Sequence, residues 1–177
     1  MRLKDKVAIV TGAGRGIGKG TAIRFAAEGA KVVVDDINPD SGNESVEQIR
    51  SAGGEAIFVR ADVSSQAEAE ELVSATIEAY RQVNVLVNNA ICSTADVVNN
   101  NWDANLNVVL KGTNFCSQAG IPEMQQIGGG SIINIASVNG LIGLQGIHAY
   151  SAAKGGVIAL TRSLAVWHGK DNIRVNC

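Results

Sequence analysis

Val7-Ala8-Ile9-Val10-Thr11-Gly12-Ala13-Gly14-Arg15-Gly16-Ile17-Gly18 is the stretch from which the rest of the chain can be read. Its first four residues form a short apolar run without polar alternation, as expected of a strand buried on both faces. The glycine-rich segment that follows reads as a sharp turn opening a helix over Ile17–Glu28. Strand, glycine turn and helix in that order make the first half of a βαβ unit. Bare amides in such a turn, aided by the positive end of the helix dipole, suit an anion such as a pyrophosphate. Gly12, Gly16 and Gly18 set a spacing that departs from the commoner dinucleotide fingerprint. The plain alternative is a turn that only reverses the chain.

The same alternation continues outward. Short β-branched runs recur at Lys31–Val34, Ala56–Val59, Val85–Val87, Ser131–Ile135 and Ile173–Val175. Between them, helical periodicity covers Asp40–Ala52, Ala67–Tyr80, Trp102–Gln125 and Tyr150–Trp167. Asn38-Pro39 supplies a cap and a first-turn proline, and Gly53-Gly54 closes the same helix. Ser65 and Glu68 have the spacing of a capping box. Strands alternating with helices predict a doubly wound α/β fold, a parallel sheet between two helical layers, in one domain over residues 1–177. Asn99-Asn100-Asn101 reads as a polar loop.

Composition narrows the partners. With 177 residues and a net charge of −2, the chain has no basic excess for nucleic acid or an anionic membrane. Cys92, Cys116 and Cys177 lack paired spacing, so they read as reduced thiols, with neither a zinc site nor a disulfide frame. No export signal or membrane span is evident at Met1-Arg2-Leu3-Lys4 or later, which points to the cytoplasm.

Two further sets of residues carry chemistry. Asp36 ends the second strand, where a carboxylate can accept hydrogen bonds from both adenosine ribose hydroxyls and repel a 2′-phosphate. That favours NAD over NADP, although Arg15 in the glycine turn could pair with such a phosphate. Asp62-Val63 and Asn88-Asn89-Ala90 follow the third and fourth strands, where a nucleotide crevice would open. Tyr150 and Lys154 stand one helical turn apart, with Ser137 upstream after the fifth strand. A phenol is a poor base near neutrality unless a cation steadies its anion. With Lys154 beside it, a tyrosine could exchange a proton with an alcohol or carbonyl oxygen. Ser137 would hydrogen-bond that same oxygen. The bland reading, a packed tyrosine beside a solvated lysine, is outweighed once serine and glycine turn are counted on the same sheet.

Taken together, Thr11-Gly12-x3-Gly16-x-Gly18, Asp62-Val63, Asn88-Asn89-Ala90, Ser137 and Tyr150-Ser151-Ala152-Ala153-Lys154 resemble the short-chain dehydrogenase/reductase family. The resemblance implies a Rossmann fold and hydride transfer between NAD(P) and a secondary alcohol or ketone. It implies catalysis by Ser137, Tyr150 and Lys154. It also implies cofactor contacts from Gly12, Arg15, Gly16, Ile17, Gly18, Asp36, Asp62, Val63, Asn88, Ala90, Tyr150 and Lys154. Homodimers or homotetramers packed through the two long helices are implied as well.

Four features depart from that pattern. Ile91 stands where relatives have a glycine and is expected to crowd the nicotinamide side or restrict the turn. Val109 stands at the position of a water-anchoring asparagine, and Asn107 lies too far around the helix to replace it. The segment between Ala90 and Trp102 is shorter than in relatives. Beyond Cys177, relatives continue through a substrate-covering segment and a last strand. These departures motivate an alternative, a nucleotide-binding or scaffold homologue without turnover. Ile142, Leu144, Ile147 and His148 are expected to form one wall of the substrate pocket.

Overall fold

A computed structural model describes residues 1–177. Six parallel strands form one sheet in the order β3-β2-β1-β4-β5-β6: β1 Val7–Val10, β2 Lys31–Asp35, β3 Glu55–Val59, β4 Val85–Asn88, β5 Gly130–Asn134 and β6 Ile173–Asn176. The order reverses between β1 and β4, so the chains leaving these two strands part and open a crevice at their carboxyl ends. The fold is the expected three-layer α/β/α Rossmann arrangement.

Both faces of the sheet are buried, which explains the missing polar alternation in β1. Ile9 and Leu86 enter one core with Leu72, Met124 and Ile132. Ala8, Val10, Val32 and Val34 enter the other with Ala22, Val46 and Ile49. The covering helices are α1 Gly16–Ala27 and α2 Pro39–Ser51 on the second face, and α3 Gln66–Tyr80 and α6 Gly112–Gln126 on the first. Asn38 caps α2 as its spacing predicts, accepting from the amides of Asp40 at 2.9 Å and Ser41 at 3.2 Å. At α3, Ser65 Oγ accepts from the Glu68 amide at 3.4 Å, but Glu68 reaches back to the Asp62 amide. The capping box is thus opened by three residues and ties the β3 exit to α3.

The helix expected over Trp102–Gln125 is unbroken but changes pitch along its length. A short α4, Thr94–Val98, precedes a single turn α5, Trp102–Ala104, and a π-helical stretch over Asn105–Lys111 leads into α6. Within it, Thr113 Oγ1 donates to the Val109 carbonyl at 2.7 Å, a side chain entering the main-chain ladder where the wide turn returns to α geometry. The last long helix, α7, runs over His148–His168, beginning two residues before Tyr150.

Candidate active site

The glycine turn leaves β1 with Gly12 at φ +61°, a left-handed conformation costly for any residue with a side chain. It is also crowded: a Cβ at Gly12 would lie 2.9 Å from Ala90 Cα. A Cβ at Gly18 would run into the Gly12 carbonyl and Asn89 Nδ2, so α1 begins in direct backbone contact with the turn. Gly14 is equally constrained, because a Cβ there would meet Ser41 Oγ and stand 2.7 Å from Asp36 Oδ2. Residue spacing alone singled out Gly12, Gly16 and Gly18 and passed over Gly14. By contrast, the space beside Gly16 is open. Arg15 and Ile17 flank it, both exposed, and no side chain caps the α1 amides. An open floor below an uncapped helix start fits a dinucleotide pyrophosphate.

Asp36 folds over this turn. One carboxylate oxygen accepts from the Gly14 amide at 2.8 Å and the other from the Asn38 amide at 2.9 Å. Asp62, at the β3 exit, accepts from both the amide and the hydroxyl of Ser64, at 2.9 and 2.7 Å. Next to it, the Val63 side chain is buried against Gly112 of α6. Only its backbone is therefore placed to serve the crevice.

The β4 exit divides its work differently from the sequence expectation. Asn88 turns inward: its amide nitrogen donates to Ser117 Oγ at 3.0 Å and to Asn134 Oδ1 at 2.8 Å. Asn134 in turn donates to Thr161 on α7 at 2.9 Å. Asn88 is thus a buried brace between β4, β5 and two helices. Its neighbour Asn89 reaches the glycine turn, donating to the carbonyls of Thr11 at 2.9 Å and Gly12 at 3.1 Å. The Asn89 and Ala90 amides both donate to Thr11 Oγ1. Because successive strand residues point to opposite faces, the alternation itself could have separated these two asparagines.

On the other side of the crevice, β5 and α7 bring the expected trio to one region. Ser137 Oγ accepts from the Asn139 amide at 3.2 Å, starting a short 3₁₀ turn over Val138–Gly140. Lys154 is 3% exposed, and its amine donates to the carbonyl of Ile135, two residues before Ser137. The same amine lies 5.8 Å from the centre of the Tyr150 ring. Lys154 therefore fastens α7 to the β5 exit with its amine near the face of the Tyr150 ring. Burial lowers its pKa to about 8, against a smaller upward pull from the Cys92 thiol. The α7 start lacks a local side-chain cap. Asn100, held at φ +58°, supplies one from a distance, its Oδ1 accepting from the Ala149 amide at 2.7 Å. This contact, 49 residues apart in sequence, left no signal in the local pattern.

Two departures have defined positions. Ile91 is 48% exposed just beyond β4. The next residue, Cys92, is buried and donates to Asn105 Oδ1 at 3.4 Å. Val109 packs into a small apolar cluster with Ala153 and Val157, flanking Lys154 on α7. Asn105, fully buried, uses its amide nitrogen on the carbonyls of Asp96 and Asn101. Ile142 and Leu144 are exposed and Ile147 is partly buried on the loop joining β5 to α7, and His148, the first residue of α7, is exposed. A surface cavity of about 260 Å³ lies elsewhere, between α3 and α6, lined by Glu70, Val73, Ile77 and Glu123 among others. No helix is long and apolar enough to cross a membrane.

Comparison with known proteins places this geometry. The family model described as short chain dehydrogenase matches residues 6–177. An uncharacterised oxidoreductase of Thermotoga maritima is 41% identical over 99% of this chain and 71% of its own length. A (2S)-[(R)-hydroxy(phenyl)methyl]succinyl-CoA dehydrogenase subunit of Thauera aromatica is 38% identical over 100% of this chain and 73% of its own. Among solved structures, a 7α-hydroxysteroid dehydrogenase complexed with NADH and 7-oxo glycochenodeoxycholic acid superposes with a TM-score of 0.92 at 38% identity. The superposition covers 99% of this chain and 70% of the other.

Proposed function

The chain belongs to the short-chain dehydrogenase family, and on that premise we propose that it interconverts a secondary alcohol and a ketone, with Tyr150 exchanging the proton. Membership supports an NAD(P)-dependent oxidoreductase, and turnover by Tyr150 is what separates this reading from a nucleotide-binding homologue without turnover. The bound nicotinamide dinucleotide supplies the hydride chemistry. The chain's own residues would hold the substrate oxygen and move its proton.

The observation carrying this reading is the tie from Lys154 to the Ile135 carbonyl, which joins the serine-bearing exit of β5 to the tyrosine-bearing turn of α7. In the proposed step, the substrate oxygen sits between Ser137 Oγ and the Tyr150 hydroxyl. Ser137 donates a hydrogen bond to it and Tyr150 accepts or returns its proton. The cation of Lys154, desolvated and close to the ring, would steady the negative charge that develops on the Tyr150 oxygen as the proton moves.

Cofactor preference follows from charge. The half-buried carboxylate of Asp36 lies over the glycine turn, whereas Arg15 extends into solvent. A 2′-phosphate would meet the anion first, so NAD is the preferred form. Gly12, Gly16, Gly18, Asp62, the Val63 backbone, Ala90, Tyr150 and Lys154 complete the proposed dinucleotide site, with Asn88 bracing it from below. Val138, Leu141, Ile142 and Leu144 are exposed apolar side chains just beyond Ser137, which supports a largely apolar alcohol or ketone. Relatives whose names give a substrate range from a steroid and a phenyl-bearing succinyl-CoA to cyclohexanol, galactose and 2,3-butanediol, so the apolar preference rests on the side chains beyond Ser137. Val166 and Trp167, exposed near the end of α7, support self-association through the long helices into a homodimer or homotetramer.

Titrating both dinucleotides by fluorescence, then assaying a panel of cyclic and aryl alcohols and ketones, tests the reading. NAD is expected to bind more tightly than NADP. Tyr150→Phe should lose about 10²–10⁴-fold in turnover with little change in dinucleotide affinity. Unchanged turnover in that variant would overturn the assignment of Tyr150.

A further inference from the structure

Beneath the glycine turn lies a carboxyl that the proposed reaction does not use. Asp35, the last residue of β2, is 1% exposed. One of its carboxyl oxygens accepts from the Ala61 amide at 3.0 Å, across the β3 exit. The Gly12 amide also faces the group. On the main chain, the Asp35 carbonyl accepts from the Ala13 amide at 2.7 Å. A single residue thus ties the turn leaving β1 to the loop leaving β3, which carries Asp62.

Every titratable group facing Asp35 is acidic. Asp36 lies beside it on the same strand exit, Asp62 comes from the β3 exit, and the buried thiol of Cys116 approaches from α6. No lysine or arginine is placed to neutralise it. The Ala61 and Gly12 amides favour the carboxylate, but desolvation among like charges outweighs them. The neutral acid keeps an acceptor for Ala61 and carries no charge.

We propose that Asp35 is a positioning residue of the dinucleotide site that links cofactor binding to its own protonation. Neutral, it holds the glycine turn against the β3 exit and leaves room for the phosphate charges above. Ionised, it sets a buried anion below them. The inference rests on dinucleotide binding at this turn but not on the roles of Ser137 and Tyr150. Burial and the neighbouring carboxylates raise the Asp35 pKa to about 8, so the neutral form prevails at neutral pH and is lost above it. Linkage then makes two demands. Dinucleotide affinity falls as pH rises through this range, and binding near pH 8 takes up a fraction of a proton.

The test compares wild type with Asp35→Asn, which retains the acceptor for Ala61 and cannot ionise. NAD affinity is measured from pH 6.5 to 9.5, with proton uptake read by calorimetry in buffers of different ionisation enthalpy. Lys154 titrates in both proteins, so their difference isolates Asp35. Wild-type affinity is expected to fall on the order of tenfold more than that of the variant across the range. Its proton uptake near pH 8 should exceed the variant's. Parallel profiles would overturn the proposal. Should the variant fail to fold, carboxyl ¹³C titration of wild type decides: a midpoint near 8 supports the proposal, and one below 5 overturns it. Absence of dinucleotide binding at every pH would instead defeat the cofactor reading, whereas the carboxyl titration would still report on Asp35 itself.

Discussion

The two halves of the site are built by different means. On the β1–β2 side, the phosphate cradle consists of backbone: an uncapped helix start, an open space beside Gly16, and glycines that permit close approach. On the β4–β5 side, side chains do the positioning, and they are held by buried polar contacts between distant segments. Asn88 bridges to Asn134, Asn134 to Thr161, Lys154 to Ile135, and Asn100 to the α7 start. A backbone site depends on the absence of side-chain atoms, whereas a side-chain site depends on partners being present. Perturbations should therefore sort by half, with cofactor affinity failing on one side and turnover or stability on the other.

The strongest test on the cradle side is Gly18→Ala. The added methyl would press on the Gly12 carbonyl and the Asn89 amide, neither of which can yield without moving the turn. Displacing the turn by a few tenths of an ångström should cost dinucleotide affinity about 100-fold, equivalent to roughly 2.7 kcal/mol. Turnover at saturating cofactor should change much less, since Ser137, Tyr150 and Lys154 stand on other elements. A fall in saturated turnover matching the loss of affinity would show that the halves are not separable.

An effect with opposite signs in function and stability, smaller in free energy of folding, is expected on the catalytic side at Lys154. Its folded-state pKa is lowered to about 8 by burial, so the ammonium opposes folding below that pH. This penalty is relieved as pH rises from about 8 toward the ordinary lysine value of 10.5. Lys154→Met should abolish turnover yet stabilise the protein at pH 7 by about 1–2 kcal/mol, after allowing for the unpaired Ile135 carbonyl. The gain should fade in melts at pH 9 to 10. Equal destabilisation at every pH would mean that the contact to Ile135 outweighs the cost of the buried charge.

The same division explains what could be read from the sequence. Strands, their parallel pairing and the helices around β1 to β3 follow from local pattern, because apolar runs and glycines record local needs. Ser137, Tyr150 and Lys154 were legible from spacing and from likeness to a known family. The inward turn of Asn88, the grip of Asn89 on Gly12 and the use of Gly14 were not, since each depends on which neighbour occupies the facing space. The π-helical stretch over Asn105–Lys111 escaped for a related reason: a periodicity of 3.6 over Trp102–Gln125 tolerates one wide turn without losing its apolar stripe. The triple asparagine read as a loop in fact divides into two caps, Asn101 for α5 and Asn100 for α7.

Asn100 gives the finest test of the comparison. Its contact to Ala149 lies beside Tyr150 and ties it to the backbone of the α7 start, through which its effect is expected to pass. Asn100→Asp retains an acceptor and adds a charge favourable to a helix N-terminus, so the fold should be preserved. Asn100→Ala removes the cap and should cost about 1 kcal/mol in stability. If the contact also orients the first turn of α7, kcat should fall severalfold in the alanine variant and recover in the aspartate variant, with NAD affinity unchanged in both. Should kcat hold while stability drops, Tyr150 is positioned by Lys154 and the β5 exit alone, and the polar bracing of this half is confined to fewer contacts. A matching loss of NAD affinity would carry the effect across the crevice and join the two halves that the geometry separates.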